Sequence, residues 1–361
     1  MKKILMAKPQ IGWQERRQVN RVLKSLKLAQ GPEVKAFEDE FSKFVDGRDC
    51  VAVNSGTSAL HLALLSLGIK EGDEVIVPSF TFAATANVVI LAGAKPVFVD
   101  IDIETYCIDP KAIKAAITPK TKAIIVVHLF GLPANMQEIK SLSKQYSLLI
   151  VEDCAQSHLA KINEQFVGTF GDAAAFSFYP TKNMTSGEGG MIVLNNSQQT
   201  RICRLLRNQG METKYQNEIA GYNLRMTDIH AAIGRSQLRK LPRATEKRIR
   251  NAQYLTERLE IDTTPIIPQG FTHVFNQYTL RIKHNRDNLS ENLSNDGIGN
   301  EVYYPKPVHK LPSFNSPLDL PNTERATKEV LSIPVHPSLN KIQLDRIVRV
   351  FNINFKKDSS S

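Results

Sequence analysis

Between residues 50 and 195, short β-branched runs alternate with stretches of helical spacing, and this alternation limits the possible folds more than any other feature. Val51–Asn54, Glu74–Val77, Pro96–Ile101, Ala123–Val127, Leu148–Val151, Ala174–Phe178 and Met191–Leu194 read as strands. Several are apolar on both faces, the pattern of strands buried in a mostly parallel sheet. Ser58–Leu67, Ala83–Leu91, Pro110–Ile117 and Met136–Tyr146 read as the intervening helices. Repeated strand–helix units predict an α/β fold, a mixed but mostly parallel sheet between helical layers.

Outside this stretch the patterns change. In the first forty or so residues Val34, Phe37 and Phe41 share helical register, so helices packed outside the sheet are expected there. Thr227–Glu260 reads as a long helix that Pro242 should break or kink. Its crowded Arg243, Lys247, Arg248 and Arg250 read as a solvated face. Beyond residue 261 the chain is Pro-rich with weaker periods; it closes on a helix at Ile342–Phe351 and a tail at Lys356–Ser361. A chain of 361 residues suits two units. The expected division is a large unit with an N-terminal helical segment over 1–240, and a smaller α+β unit over 241–361.

Composition removes some function classes. No apolar run nears the roughly 18 residues of a membrane span, and Ile4–Ala7 is too short for a signal peptide core. Cys50, Cys107, Cys154 and Cys203 have no paired spacing, and read as core residues of a reduced, cytoplasmic protein. Lys and Arg outnumber Asp and Glu by 46 to 36, a net charge of +10 that is compatible with an anionic ligand. The basic residues are dispersed without interleaved aromatics, which argues against a nucleic-acid partner. The chain also lacks a phosphate loop, a spaced-glycine dinucleotide fingerprint, a nucleophile elbow and a His-Glu-x-x-His pair.

Three segments can carry chemistry. Asn54-Ser55-Gly56-Thr57-Ser58 follows the first strand and opens a helix, so its N–H groups and hydroxyls form either a phosphate cradle or an ordinary N-cap. Leu148–Asp153 delivers Asp153 to the carboxyl end of a buried strand, where open α/β sheets bind ligands; capping the next helix is the alternative. Phe176-Ser177-Phe178-Tyr179-Pro180-Thr181-Lys182, with Gly187-Glu188-Gly189-Gly190 behind it, places a lysine where desolvation would make its amine nucleophilic. A phosphate cradle, a buried acid and a nucleophilic amine are the needs of one cofactor, pyridoxal 5'-phosphate.

With these segments in order, the chain resembles the DegT/DnrJ/EryC1/StrS family of pyridoxal-phosphate sugar aminotransferases, of the aspartate aminotransferase fold type I. The likeness runs from Gly31-Pro32-Glu33 through Gly72–Pro78, Glu152-Asp153, Ser177–Asn183 and Gly221–Met226 to Tyr304-Pro305 and Leu331–Pro337. It implies that Lys182 joins the cofactor covalently and shuttles the substrate proton, and that Asp153 pairs with the ring nitrogen. It further implies Gln156 at the ring hydroxyl, Phe82 stacked on the ring, and Gly56, Thr57, Ser58 and Ser177 at the phosphate. Asn223 would reach the phosphate of a neighbouring subunit, so the active site would be shared across a homodimer. His158, Arg225 and Tyr304 would touch substrate. Two departures stand out: Leu159 occupies a position that is usually small, often Gly, and Lys161–Gln165 lacks the common Tyr-Lys-Gly pattern. Family dehydratases carry His in place of the lysine, so Lys182 favours transamination.

The expected reaction moves an amino group from an amino acid, L-glutamate by expectation, to a nucleotide-linked keto-sugar, with a scyllo-inosose-type cyclitol as the alternative acceptor. Two readings of other classes compete. Asp100 and Asp102 form an Asp-x-Asp that could hold a divalent metal in a glycosyltransferase. The positive charge could also serve a non-catalytic regulator or nucleic-acid binder. His61 and His128 read as packing or hydrogen-bonding residues rather than metal ligands.

Overall fold

The computed structural model describes residues 3–359. Two helices, α1 (Trp13–Ser25) and α2 (Pro32–Ser42), precede the first strand, β1 (Asp49–Val53). Then follow α3 (Gly56–Ser66), β2 (Glu74–Pro78), α4 (Ala84–Leu91), β3 (Lys95–Val99), α5 (Pro110–Ala116), β4 (Thr121–Val127), α6 (Met136–Tyr146) and β5 (Leu149–Asp153). A small hairpin, β6 (Lys161–Ile162) and β7 (Gln165–Phe166), leads to β8 (Ala173–Ser177), β9 (Gly190–Leu194) and α7 (Ser197–Arg207).

The seven longer strands form one sheet in the order β1-β9-β8-β5-β4-β2-β3. They are the seven read from the sequence, with ends shifted by at most two residues. Only β9 runs antiparallel to its neighbours β1 and β8; the other pairings are parallel. The register sets Val53, Gly190 and Ser177 in one row at the edge that carries the site. Gly190 is required there, because an added Cβ would lie 2.3 Å from the Ser55 carbonyl oxygen.

The remaining chain is α8 (Asp228–Thr256), β10 (Phe271–Thr272), β11 (Tyr278–Arg281), α9 (Arg286–Asn295), α10 (Pro321–Glu329), β12 (Val330–Ile333) and α11 (Lys341–Ser359). β11 and β12 pair antiparallel, and their apolar faces join Leu255, Leu289, Leu293, Ile347 and Phe351 in a core of their own. Ile4 belongs to that core and bridges to Ile298, so this N-terminal segment packs with C-terminal elements although sequence position assigns it to the large unit. Residue 240, the expected boundary, lies inside α8.

Of the break or kink expected at Pro242, the break does not occur: α8 runs through it. The ring sits exposed, so the carbonyl it leaves without a donor can face water. Leu238, Leu241 and Leu255 are buried on the same helix, each worth about 1.5–3 kcal/mol. Together they outweigh the roughly 3 kcal/mol cost of a helical proline. The tail reading also needs correction: α11 continues to Ser359, and Lys356 pairs with Glu260 at 2.6 Å. Ser360 and Ser361 lie outside the described residues. No helix among the described residues is long and apolar enough to cross a membrane, and all four cysteines are buried and free.

Candidate active site

The first segment folds as a cap and a cradle at once. Ser55 is the N-cap of α3; its Oγ accepts from the Ser58 N–H at 3.1 Å. The Ser58 hydroxyl is drawn into the same turn, donating to Asn54 Oδ1 at 2.7 Å. Among the described residues the N–H groups of Gly56 and Thr57 carry no hydrogen bond, as the first turn of a helix allows. Gly56 is packed against Ser177: an added Cβ would meet Ser177 Cβ at 2.7 Å. Only glycine lets the helix start approach the end of β8 this closely. Gly56, Thr57 and Ser177 thus come together, while Ser58 serves the turn. Ser55, quoted in this segment but not singled out, takes the N-cap role that the sequence offered as the alternative to a cradle.

Asp153 ends β5 and is buried. Its Oδ2 accepts from Thr85 Oγ1 at 2.9 Å and its Oδ1 from the Ala155 N–H at 3.1 Å. Burial pushes its pKa above the ordinary carboxylate value, against the pull of those two donors and of the Lys182 charge. Lys182 shows the reverse: burial lowers its pKa, against the opposing pull of Asp153. Among the described residues the Lys182 amine makes no side-chain hydrogen bond. A desolvated amine within electrostatic reach of a buried acid is suited to attack a carbonyl.

Gln156 links two elements far apart in sequence. Its Oε1 accepts from the Phe130 N–H at 2.8 Å and its Nε2 donates to the Tyr304 hydroxyl at 3.0 Å. Burial, with Asp153 nearby, pushes the Tyr304 phenol up, so it stays a neutral donor. Phe82 stands 61% exposed, its ring centroid 6.2 Å from that of Tyr304. An aromatic face left this open beside a buried acid is free to stack on a planar ligand. Thr85, which sequence reasoning did not single out, reaches Asp153 from α4 across 68 positions.

The residues assigned to substrate divide. Tyr304 joins the site through Gln156. Arg225 donates to Asn208 Oδ1 at 2.9 Å, beside Asn223, which is exposed. His158 is buried against Phe176 and Phe178, with ring centroids 5.3 and 5.8 Å away. Burial and the nearby Lys182 charge lower its pKa to about 3. It is therefore a neutral ring set in apolar packing, not an exposed substrate contact.

The competing metal readings lose their ligands. Asp100 accepts from the N–H groups of Asn322 (3.0 Å) and Thr323 (2.7 Å), and so caps α10. Asp102 accepts from the N–H groups of Glu104 and Thr105, and so holds its own turn. His128, Glu152 and Cys154 also cluster, but Ala134 donates to His128 Nδ1, which leaves the ring proton on Nε2, aimed at Glu152. Burial pushes the Cys154 thiol up, away from the thiolate a metal would take. These are hydrogen-bonded core groups.

The free N–H cradle at α3, the buried Asp153 and the desolvated Lys182 suit a cofactor with a phosphate, a basic ring nitrogen and an aldehyde. Fold and site together define a class, the pyridoxal-phosphate-dependent transferases of aspartate aminotransferase architecture. Residues 9–352 match the DegT/DnrJ/EryC1/StrS aminotransferase family, and the chain belongs to that family. It is a pyridoxal-phosphate-dependent aminotransferase. Among its relatives, the pleiotropic regulatory protein of Geobacillus stearothermophilus is 41% identical, over 92% of this chain and 92% of that one. The UDP-N-acetyl-3-dehydro-α-D-glucosamine 3-aminotransferase of Acidithiobacillus ferrooxidans is also 41% identical, over 92% and 91%. The crystal structure of S. venezuelae DesV superposes with a TM-score of 0.91 at 36% identity, over 95% of this chain and 94% of that one.

Proposed function

We propose that this aminotransferase moves the amino group of an amino acid, L-glutamate, onto the ketone of a nucleotide-linked sugar. The acceptor is a 3- or 4-keto sugar on UDP or dTDP, and the product serves amino-sugar synthesis for surface polysaccharide or glycoconjugates. One observation carries this reading. The Lys182–Asp153 pair sits in a chain that is 41% identical, across nearly its full length, to an enzyme named for aminating a UDP-linked 3-keto sugar.

When bound, pyridoxal phosphate supplies an electron sink for the donor's α-carbon. Gly56 and Thr57, through their free N–H groups, and Ser177 would hold its phosphate, with Ser58 stabilising the turn. Asp153, when ionised, would keep the ring nitrogen protonated; Thr85 and the Ala155 N–H fix the carboxylate's two oxygens. Gln156 would serve the ring hydroxyl, and Phe82, with its open face, would stack on the ring and exclude water. Lys182 would hold the cofactor. Its amine, when free, would take the donor's α-proton and, in the second half-reaction, return a proton to the sugar carbon. Binding of donor and acceptor in turn makes the kinetics ping-pong. Asn223, exposed beside Arg225, reaches the phosphate of a second copy, so the working unit is a cytoplasmic homodimer with shared sites. Tyr304 contacts the sugar.

The test is a panel of UDP-, dTDP- and GDP-linked 3- and 4-keto sugars, with scyllo-inosose alongside, each incubated with L-glutamate and the holoenzyme. Formation of 2-oxoglutarate with one nucleotide sugar is expected. Amination of scyllo-inosose with none of the nucleotide sugars used would overturn the acceptor class.

A further inference from the structure

The turn between β2 and α4 buries a hydroxyl one step removed from the acid Asp153. Thr81 is buried in that turn, and its Oγ1 lies 3.1 Å from Thr85 Oγ1. Thr85, buried in α4, lies 2.9 Å through the same oxygen from Asp153 Oδ2 at the end of β5. Three side chains so stand in line: Thr81, Thr85, Asp153. Among the described residues no other hydrogen bond engages either hydroxyl.

Proton counting gives the line a direction. A hydroxyl has one proton to donate, and an ionised carboxylate only accepts. With Asp153 ionised, the Thr85 proton goes to Oδ2, and the bond between the two hydroxyls is left for Thr81 to donate. The spacing of four positions matters, because a helical threonine otherwise donates back to the carbonyl three or four residues earlier. For Thr85 those carbonyls belong to Phe82 and Thr81, and the Phe82 carbonyl already accepts the Thr85 N–H at 3.1 Å. A donor arriving from the Thr81 side chain turns the Thr85 proton away from that backbone and toward the carboxylate. Polarisation along such a line also strengthens its last bond, by roughly 10–30%. The titratable groups around Asp153 are Lys182, His128, Tyr304 and Cys154, and among the described residues none of them bonds its carboxylate oxygens. Thr85 is the side-chain donor it has, so what aims Thr85 sets the acid.

We propose that Thr81 is a positioning residue for the cofactor's acid: its hydroxyl aims that of Thr85 and thereby sets the Asp153 carboxylate for a cationic ring nitrogen. The effect on the cofactor rests on Asp153 being its acid; the hydroxyl line does not.

The test follows the Asp153 carboxyl in the full chain, grown with carboxyl-labelled aspartate. Its carbon-13 resonance, assigned by its absence in Asp153→Asn, is titrated with pH before pyridoxal phosphate is added. Affinity for pyridoxal phosphate is then measured by absorbance. Thr85→Val should raise the proton affinity of Asp153 and weaken cofactor binding by roughly tenfold to a hundredfold. Thr81→Val removes no donor to Asp153 itself and should do both by about twofold to fivefold. The double variant should match Thr85→Val alone, because the line is already cut at Thr85. Thr81→Ser keeps the hydroxyl and should behave as wild type; if the valine prevents folding, Thr81→Ala set against Thr81→Ser gives the same comparison. An unshifted Thr81→Val beside a shifted Thr85→Val would overturn the role of Thr81 and leave that of Asp153 standing. Effects that multiply in the double variant would make Thr81 a packing residue only and overturn the proposal as well. Shifted titrations with cofactor affinity unchanged throughout would keep the hydroxyl line but overturn the reading of Asp153, and the proposal with it.

Discussion

Replacing Thr85 with valine removes one hydroxyl from the interior while keeping the side chain's shape. Thr85 is fully buried in α4, and its Oγ1 lies 2.9 Å from Asp153 Oδ2 and 3.1 Å from Thr81 Oγ1. Burial already pushes the Asp153 carboxyl up, and the Thr85 and Ala155 donors pull it back down. A hydrogen bond to a charged group is worth about 1.5–3 kcal/mol. Its loss falls on the ionised form alone, which is the form that pairs with a cationic ring nitrogen. At about 1.4 kcal/mol per factor of ten, Thr85→Val should weaken cofactor binding and lower kcat/KM by roughly tenfold to a hundredfold. The acid limb of the pH–rate profile should move to higher pH, because Asp153 then needs a higher pH to ionise. In the apoprotein the sign is that of any group raised on folding. The stability it contributes is present below the ordinary aspartate value and lost as pH rises through the raised one. Absorbance titration of cofactor binding across pH, beside kcat/KM, measures both effects, with Thr85→Ser as the rescuing control. A folded Thr85→Val enzyme with unchanged cofactor affinity and an unshifted acid limb would refute the role given to Asp153.

Further outcomes are expected. Lys182→Ala should abolish formation of 2-oxoglutarate, and Asp153→Asn should severely impair it; because burial lowers the Lys182 amine, cofactor loading of wild-type apoenzyme should level off at a lower pH than for an exposed lysine. Gly56→Ala places a methyl 2.7 Å from Ser177 Cβ and should cost about 1–3 kcal/mol in a denaturant melt while weakening cofactor retention on dialysis. Glu38→Gln leaves the buried Arg207 without its counter-ion and should cost about 3–5 kcal/mol by urea titration, with little change in the cofactor spectrum of the folded fraction. Mixing inactive Lys182→Ala and Asn223→Ala chains should restore part of the activity if Asn223 serves the partner's site; no recovery would remove it from that role.

The sheet could be read from the sequence because its strands are apolar on both faces, a pattern that helices outside a core do not share. The place of Asp153 at a strand end was legible for the same reason, whereas Ser177 was named only through the family resemblance. What escaped depends on contacts between distant positions. Thr85 has no local signal, and neither does the bond from Gln156 to Tyr304 across 148 positions. Arg248, buried in the structure, looked like its three basic neighbours because burial of one turn of a helix depends on what packs against it. Pro242 was judged by its local cost without the packing of a 29-residue helix set against it. Leu159 stood out in the sequence as a large residue at a usually small position, and the backbone explains why. Its φ is +67°, the left-handed region that glycine enters freely and a leucine does not.

The clearest physical division in the site lies between two adjacent acids. Strand alternation sends Glu152 and Asp153 to opposite faces of β5. Glu152 accepts four hydrogen bonds, from His128 Nε2 and the N–H groups of Gly168, Phe170 and Gly171. Burial opposes its charge, yet those donors hold its carboxyl below the ordinary value. It is a satisfied anion that ties β4, β5 and the 168–171 loop together. Asp153 receives only two donors, so burial prevails and its carboxyl is raised. The shortfall is an unmet demand for positive charge at the carboxyl end of the strand. A protonated ring nitrogen meets that demand, and a second structural acid would have no use for it. Donor count at each carboxylate therefore separates the satisfied acid that builds the fold from the under-satisfied acid proposed to serve the cofactor, although the sequence writes them side by side.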